Sequence, residues 1–263
     1  MASLSVPNPA ERLVMMHNSN QRGFYDSLAR LQHAQKSNRG APLYSVMINR
    51  PVGRVLAAAA HKFGLTPNGV TSVSALFTFS GIALIALARP TLVTGLVTTL
   101  LLVLGYALDS ADGQLARLRG GGSMLGEWLD HVIDSFKIAT LHSAVLIMMA
   151  RHYDLPRVWL LVPLGFGAVY VIHFFGMLLT ELLARVAHAR AGVPMPPKGK
   201  GSRWVSLAKL PTDSGLLCWI FIVVAWPTIF ISVYAFLGLM TAAYTALVLV
   251  TWARRVAALD RMS

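Results

Sequence analysis

Five of the eleven carboxylates of this chain lie between residues 109 and 134, within an otherwise apolar region. They are Asp109, Asp112, Glu127, Asp130 and Asp134. Carboxylates within a membrane or at its edge are costly unless a cation pairs with them, so the cluster indicates a functional site. Residues three or four apart on a helix share a face. The spacing therefore predicts two helices that each present a pair of aspartates, with Glu127 off that face.

The chemistry that fits these residues is divalent metal binding. Carboxylate oxygens are the ligands that Mg²⁺ and Mn²⁺ prefer, and histidine or thiolate sets typical of zinc are missing from the cluster. Nearby cations are too few to neutralise the acids, being only Arg117, Arg119 and Lys137. Residues 120–123, Gly-Gly-Gly-Ser, are suited to a tight turn that brings the helices together. We expect one or two Mg²⁺ or Mn²⁺ ions here, and with them a diphosphate substrate.

The complete pattern is Asp109-x2-Asp112-Gly113-x2-Ala116-Arg117-x8-Gly126-x3-Asp130-x3-Asp134. It resembles the signature of the CDP-alcohol phosphotransferases, also called CDP-alcohol phosphatidyltransferases, and every specified position is filled. The resemblance extends to Thr66-Pro67-Asn68 ahead of the first membrane span and covers roughly residues 45–250. It implies transfer of a substituted phosphate from a CDP-linked alcohol to an acceptor hydroxyl, with release of CMP, in phospholipid or polar-lipid synthesis.

The resemblance also implies roles for individual residues. Asp109, Asp112 and Asp130 would be metal ligands, and Asp134 would be the general base and a further contact to metal. The nucleotide and pyrophosphate site would be lined by Pro67, Asn68, Asp112, Gly113, Ala116, Arg117, Ser123 and Gly126. The donor would be CDP-diacylglycerol or a CDP-linked headgroup, and proteins like this are usually homodimers.

The fold class predicted from composition is an all-α integral membrane protein, since 55% of residues are hydrophobic and only 13% are charged. Apolar runs of the length that a bilayer requires predict six transmembrane helices, at 71–89, 91–109, 124–150, 157–184, 214–233 and 235–253. Trp226-Pro227 can be a turn or a kink within the last pair. Thr71 or Ser72 is expected to cap the first span.

The predicted spans and the polar stretches around them divide the chain into four segments. They are a polar cytoplasmic segment (1–42), an interfacial helix and turn (43–70), the catalytic membrane domain (71–255) and a tail (256–263). The interfacial helix is expected to begin near Pro51 and to end at Gly64. Lys and Arg concentrate in 1–70, 110–123, 185–209 and 254–261. The positive-inside rule then predicts a cell-membrane protein with both termini and the active site in the cytoplasm.

The basic loop before the fifth predicted span offers candidate acceptor-binding residues, namely Lys198, Lys200, Arg203 and Lys209. They favour a phosphorylated alcohol, although the Glu-Arg-x-x-Arg pattern of the inositol-phosphate enzymes is not found after the fourth span. The net charge of +12 is expected to face lipid headgroups and not nucleic acid, because no aromatic-basic recognition module is visible. Two alternatives stay open, an intramembrane prenyltransferase with a diphosphate donor and an ion-coupled transporter.

Overall fold

The computed structural model describes residues 23–32, 41–196, 206–207 and 209–260, and this part of the chain is helical, without strands. In chain order the α-helices are α1 (23–32), α2 (Arg50–Lys62), α3 (Pro67–Leu87), α4 (Leu92–Leu118), α5 (Met124–His152), α6 (Leu161–Arg190), α7 (Ser214–Trp219) and α8 (Pro227–Leu259). A π-helical turn, Ser45–Asn49, precedes α2, and 3-10 turns lie at Arg157–Leu160, Leu210–Thr212 and Ile220–Val223.

Five of these segments are long and apolar enough to cross a membrane: Pro67–Leu87, Leu92–Leu118, Met124–His152, Arg157–Arg190 and Pro227–Leu259. Their outer faces carry large exposed apolar side chains, among them Leu76, Leu239 and Leu247. Such faces are unsuited to water and suited to lipid tails. The predicted all-α integral membrane fold is therefore confirmed.

The predicted count of six spans is not confirmed. The fifth predicted span, 214–233, is divided by the turn at Trp226-Pro227, and Pro227 begins α8. The apolar stretch before that turn is the short Ser214–Val223 segment, which covers about 15–20 Å at helical rises. That is well short of the ~30 Å hydrocarbon core.

This short segment lies alongside part of α4. Its start lies beside α4 near the aspartates, because the Tyr106 hydroxyl donates to Asp213 Oδ1 at 3.0 Å. Its end lies beside the opposite end of α4, where a Cβ added to Gly95 would come within 2.5 Å of the Phe221 carbonyl oxygen. The chain then reverses, and α8 returns until Arg255 lines the same cavity as Asp109.

The start of the first span also differs from the sequence expectation. Thr66 caps α3 by accepting a hydrogen bond from Gly69 N, and Pro67 follows at the first helical position. The helix therefore begins at Pro67 and not at 71, and neither Thr71 nor Ser72 is its cap. Thr71 lies inside the helix, where its side chain is available for other contacts.

The predicted helix of the 43–70 segment is present as α2, and Gly64 follows it with a φ of 73°. Its small residues face α4: a Cβ on Gly53 would lie 2.8 Å from Ser110 Oγ and 2.9 Å from Gln114 Nε2. Ala57 and Ala58 are fully buried in a cluster shared by α1, α2, α3 and α4. This helix therefore supports the aspartate-bearing half of α4 directly.

A larger apolar core contains residues of every helix from α3 to α8. It is centred on Phe221, Phe230 and Tyr234, which are fully buried, and on Val145 and Met148 of α5. Helix α4 contributes Leu102 to this core and Ala111, Leu115 and Leu118 to the smaller cluster. The helix that carries Asp109 and Asp112 is therefore packed at both of its halves.

Candidate functional site

The aspartates lie on the C-terminal half of α4 and the N-terminal half of α5. Between the helices, Gly120 and Gly121 adopt φ values of 98° and 135°, which residues with a Cβ rarely adopt. Ser123 then caps α5 by accepting from Gly126 N at 3.0 Å. The turn predicted from the glycine run is thus a tight reversal that places the two acidic stretches side by side.

Asp109, Asp112 and Asp130 converge as predicted. One carboxylate oxygen from each lies within 4.8 Å of the others, a grouping that can hold a metal ion. Asp112 is 6% exposed, and the other two are partly buried. Carboxylate oxygens from two adjoining helices suit a hard divalent cation such as Mg²⁺ or Mn²⁺. The residues present therefore fit the metal that the sequence predicts.

Asp112 is fixed by hydrogen bonds to both of its oxygens. The Thr71 hydroxyl donates to Oδ2 at 2.5 Å and Gly113 N donates to Oδ1 at 2.5 Å. Thr71 is itself buried, with its hydroxyl 3.1 Å from the Pro67 carbonyl. A residue of α3 thus orients a carboxylate of α4, and the sequence reasoning had assigned Thr71 only to a helix cap.

Asp134 lies next to this group but outside it. Lys137 Nζ lies 2.5 Å from Asp109 Oδ1 and 3.2 Å from Asp134 Oδ1. The lysine therefore joins Asp134 to Asp109. The aspartate trio that can hold a metal ion consists of Asp109, Asp112 and Asp130. That Asp134 binds metal, or acts as the base, stays a prediction.

The predicted nucleotide residues lie around the same hairpin. A Cβ added to Gly126 would lie 3.1 Å from Asn68 Oδ1 and 3.2 Å from Ser123 Oγ, so these three residues meet. A Cβ on Gly113 would lie 3.5 Å from Arg117 Nη1, which places the guanidinium over that glycine. Both glycines are partly exposed, and at Gly126 a side chain would crowd the neighbouring polar groups. That these residues bind a nucleotide stays a prediction.

Two further predicted positions, Pro67 and Ala116, lie next to these residues in the chain. Pro67 begins α3 one residue before Asn68, and Ala116 is partly exposed on α4 one residue before Arg117. Arg50 was not predicted for the site, yet it is close enough to Arg117 for the two charges to interact. Its carbonyl accepts from Gln114 Nε2 at 3.0 Å, which fixes the start of α2 on α4.

A cavity of about 520 Å³ opens beside the aspartates. Asp109, Asp134 and Lys137 contribute to its wall, and Lys209 and Arg255 bring two further cations. The other polar or aromatic members of the lining include Thr78, Tyr106, His142, Tyr170, His173, Phe174, Glu181, Thr212, Ser214, Tyr244 and Trp252. Of the predicted acceptor residues, Lys209 lies here, and Lys198, Lys200 and Arg203 fall outside the described residues.

Asp213 lies between two residues of the cavity lining, Thr212 and Ser214, and was not predicted as a site residue. Its carboxylate accepts from Ser45 N at 2.9 Å, Tyr106 Oη at 3.0 Å and Gly215 N at 3.0 Å. Burial raises the pKa of Asp213, and these hydrogen bonds partly oppose that rise. The residue connects the segment before α2, α4 and the start of α7, so its role is to hold the elements around the cavity.

Membrane-length helices around a carboxylate centre and an adjoining polar cavity have the features of an integral-membrane enzyme acting on phosphate esters. Residues 64–256 match the family model of the CDP-alcohol phosphatidyltransferases, and the chain belongs to this family. The family predicted from the aspartate motif is confirmed. Membership of this family also argues against the prenyltransferase and transporter alternatives.

Relatives of this chain include phosphatidylinositol phosphate synthases. The enzyme of Corynebacterium glutamicum is 33% identical over 111 residues, which cover 42% of this chain and 47% of the relative. The chain therefore spans about half the length of that relative.

Solved structures of the Mycobacterium tuberculosis phosphatidylinositol phosphate synthase are also similar. The complex with manganese and citrate is 20% identical and has a TM-score of 0.49, with 80% of this chain and 88% of that chain covered. The complex with CDP-DAG is 21% identical and has a TM-score of 0.46, with 76% and 90% covered.

Proposed function

We propose that this chain is a metal-dependent membrane transferase that moves a substituted phosphate from a CDP-linked alcohol to an acceptor hydroxyl and releases CMP. CDP-diacylglycerol is the donor that we favour. The observation that carries the proposal is the convergence of Asp109, Asp112 and Asp130 within 4.8 Å. These are three signature positions of a family to which the chain belongs.

The donor nucleotide is proposed to bind at the hairpin, beside Asn68, Ser123 and Gly126. Gly113 and Gly126 are partly exposed and lack a side chain, so a base or a phosphate can approach their backbone closely. Arg117 offers a guanidinium, whose planar set of donors suits phosphate oxygens. The apolar outer faces of the helices are available to the acyl chains of a lipid donor.

The acceptor is proposed to occupy the 520 Å³ cavity. Its volume suits a small polar molecule, and Lys209 and Arg255 in the wall favour one that carries a phosphate. The relationship to a phosphatidylinositol phosphate synthase supports a phosphorylated polyol acceptor and a lipid donor. This chain, however, lacks the Glu-Arg-x-x-Arg pattern and has Glu181-Leu-Leu-Ala-Arg185 in that region, so glycerol phosphate and inositol phosphate both belong in the test.

The chain's own residues then perform the transfer as follows. Asp134 lies in the cavity wall and takes the proton from the acceptor hydroxyl. The acceptor oxygen forms a bond to the phosphorus that bears the donor alcohol. The bond from that phosphorus to the bridging oxygen breaks, and CMP leaves with the electron pair.

Asp109, Asp112 and Asp130 would hold the divalent ion in this scheme. When bound, the ion supplies neutralisation of the diphosphate charge and stabilisation of the leaving CMP. Thr71 and Gly113 N keep Asp112 oriented for this purpose. The site is proposed to open to the cytoplasm, as the positive-inside rule predicts, and the chain to act as a homodimer.

The test is CMP release by the purified full-length protein with Mg²⁺ or Mn²⁺. CDP-diacylglycerol and CDP-linked headgroups are supplied as donors, with inositol, inositol phosphate, glycerol phosphate and serine as acceptors. We expect Asp112→Asn and Asp130→Asn each to lower CMP release at least about a hundredfold, because loss of charge stabilisation is worth several kcal/mol.

Glu127→Gln is the matched control, since Glu127 is also an acid of α5 but pairs with Arg185 outside the trio. It should retain activity. Near-normal CMP release by both aspartate variants, or transfer from a prenyl diphosphate but from no CDP-linked donor, would contradict the proposed function.

A further inference from the structure

Lys137 is a cation that the aspartate signature does not include. It lies on α5 three residues after Asp134, and its side chain is only 14% exposed. Its ammonium group contacts Asp109 at 2.5 Å and Asp134 at 3.2 Å. One positive charge is thus held between carboxylates of α4 and α5.

The four signature aspartates therefore form two overlapping groups. Asp109, Asp112 and Asp130 bring oxygens within 4.8 Å of one another, as one metal ion requires. Asp109 and Asp134 contact the Lys137 ammonium instead. Asp109 belongs to both groups, which its two carboxylate oxygens allow.

Charge decides what the second group can bind. Four carboxylates carry four negative charges, and Lys137 neutralises one of them. A divalent ion on the trio neutralises two more. A further divalent ion between Asp109 and Asp134 would meet the repulsion of the ammonium at the same oxygens, and this repulsion is strong in a partly buried site.

We propose that Lys137 takes the place of a second divalent ion, so that each chain binds one such ion at its aspartate centre. The inference rests on the proposed function, because it requires that the trio binds a divalent metal. Lys137 is then a positioning residue. It keeps Asp134 turned to the wall of the acceptor cavity, where a base is needed, without a metal ion on that carboxylate.

The experiment counts ions bound by the full-length protein in detergent, without substrate. The protein is titrated with Mn²⁺, and free Mn²⁺ is followed by its electron paramagnetic resonance signal. We expect one tightly bound ion in the wild type and one in Lys137→Arg, which keeps the positive charge. We expect two in Lys137→Met, because Asp109 and Asp134 then lose their cation.

Two further variants test whether the number of bound Mn²⁺ ions depends on these particular residues. Lys62→Met removes an exposed lysine at the end of α2 and should leave one bound ion. Lys137→Met combined with Asp134→Asn should return the number from two to one, because the second group then lacks a carboxylate. Thermal unfolding curves establish that each variant is folded.

Two bound ions in the wild type would overturn the inference whether or not the Lys137 variants fold. A count of one in both the wild type and a folded Lys137→Met would overturn it as well. Absence of Mn²⁺ binding in the wild type would instead contradict metal binding by the trio, and the proposed function would fail first.

Discussion

At the scale of single residues, the site depends on side chains that belong to no recognisable sequence motif. Thr71 is 41 positions before Asp112 in the chain, yet its hydroxyl contacts Asp112 Oδ2 at 2.5 Å. Both residues are buried. A partner that orients a metal ligand affects the affinity for metal without touching the ion.

Thr71→Val should therefore raise the Mg²⁺ concentration that gives half-maximal CMP release by about 10–100-fold. Valine has the shape of threonine but lacks the hydroxyl, so Asp112 loses a donor while the packing of α3 is kept. Thr71→Ser should remain close to wild type. The measurement is CMP release as a function of Mg²⁺ concentration.

Thr251→Val makes the same chemical change at an exposed position of α8 and should leave the Mg²⁺ requirement unchanged. Equal Mg²⁺ requirements for Thr71→Val and Thr251→Val would show that the Thr71 hydroxyl has no part in orienting Asp112.

At the scale of helices, α3 and α4 approach closely through small residues. A Cβ added to Gly105 would lie 2.2 Å from Thr78 Oγ1, 3.1 Å from Thr78 N and 3.2 Å from the Ser74 carbonyl oxygen. Ser74 also donates to the Gly105 carbonyl at 2.8 Å. Small residues that let backbones approach are typical of helix pairs in membranes, and Gly105 lies one helical turn before Asp109.

Gly105→Ala should destabilise the protein by about 1–3 kcal/mol, because the added methyl group has no space. It should also reduce CMP release, since the helices can accommodate the methyl only by moving apart near Asp109. Gly165→Ala is the matched control: it lies within α6, and nothing is within 4 Å of its added Cβ. Thermal unfolding and CMP release measure both effects, and similar losses in the two variants would refute the role of close packing at Gly105.

Some residues of the site could be predicted from the sequence, and others could not. The carboxylate positions on α4 and α5 follow from helical spacing and a glycine turn, which are local features, and the predicted convergence of Asp109, Asp112 and Asp130 is confirmed. Thr71, Arg50 and Arg255 reach the site only through packing between distant helices, which leaves no local pattern. Lys137 differs from these residues, because it is close to the aspartates in the sequence. Its position three residues after Asp134 places it one helical turn away.

At the scale of the whole molecule, hydropathy detects apolar length but not where a segment starts relative to the bilayer. The apolar run after residue 213 is long enough for a span by composition, yet Trp226-Pro227 divides it. Asp213 caps α7 beside Tyr106, so the short segment starts at the level of the site and not beyond it. The start of this segment is thereby fixed close to the residues that line the cavity.

Metal binding should therefore stabilise the molecule as a whole. The trio joins α4, which carries Asp109 and Asp112, to α5, which carries Asp130. Helix α4 contributes to both apolar cores, and α5 contributes to the larger one. At a Mg²⁺ concentration about a hundred times the dissociation constant, an ion that binds only the folded state adds about 2.7 kcal/mol to the free energy of unfolding. The unfolding temperature of the detergent-solubilised protein should rise with Mg²⁺ and fall again with a chelator.

Asp130→Asn should lose most of this shift, because α5 then no longer supplies a charged ligand to the ion. Glu127→Gln removes an acid from the same helix outside the trio, so its unfolding temperature should respond to Mg²⁺ as the wild type does. A shift of equal size in Asp130→Asn and the wild type would mean that the ion does not bridge α4 and α5. Stabilisation would then come from another part of the surface, and the proposed coupling of the two helices through the metal would be wrong.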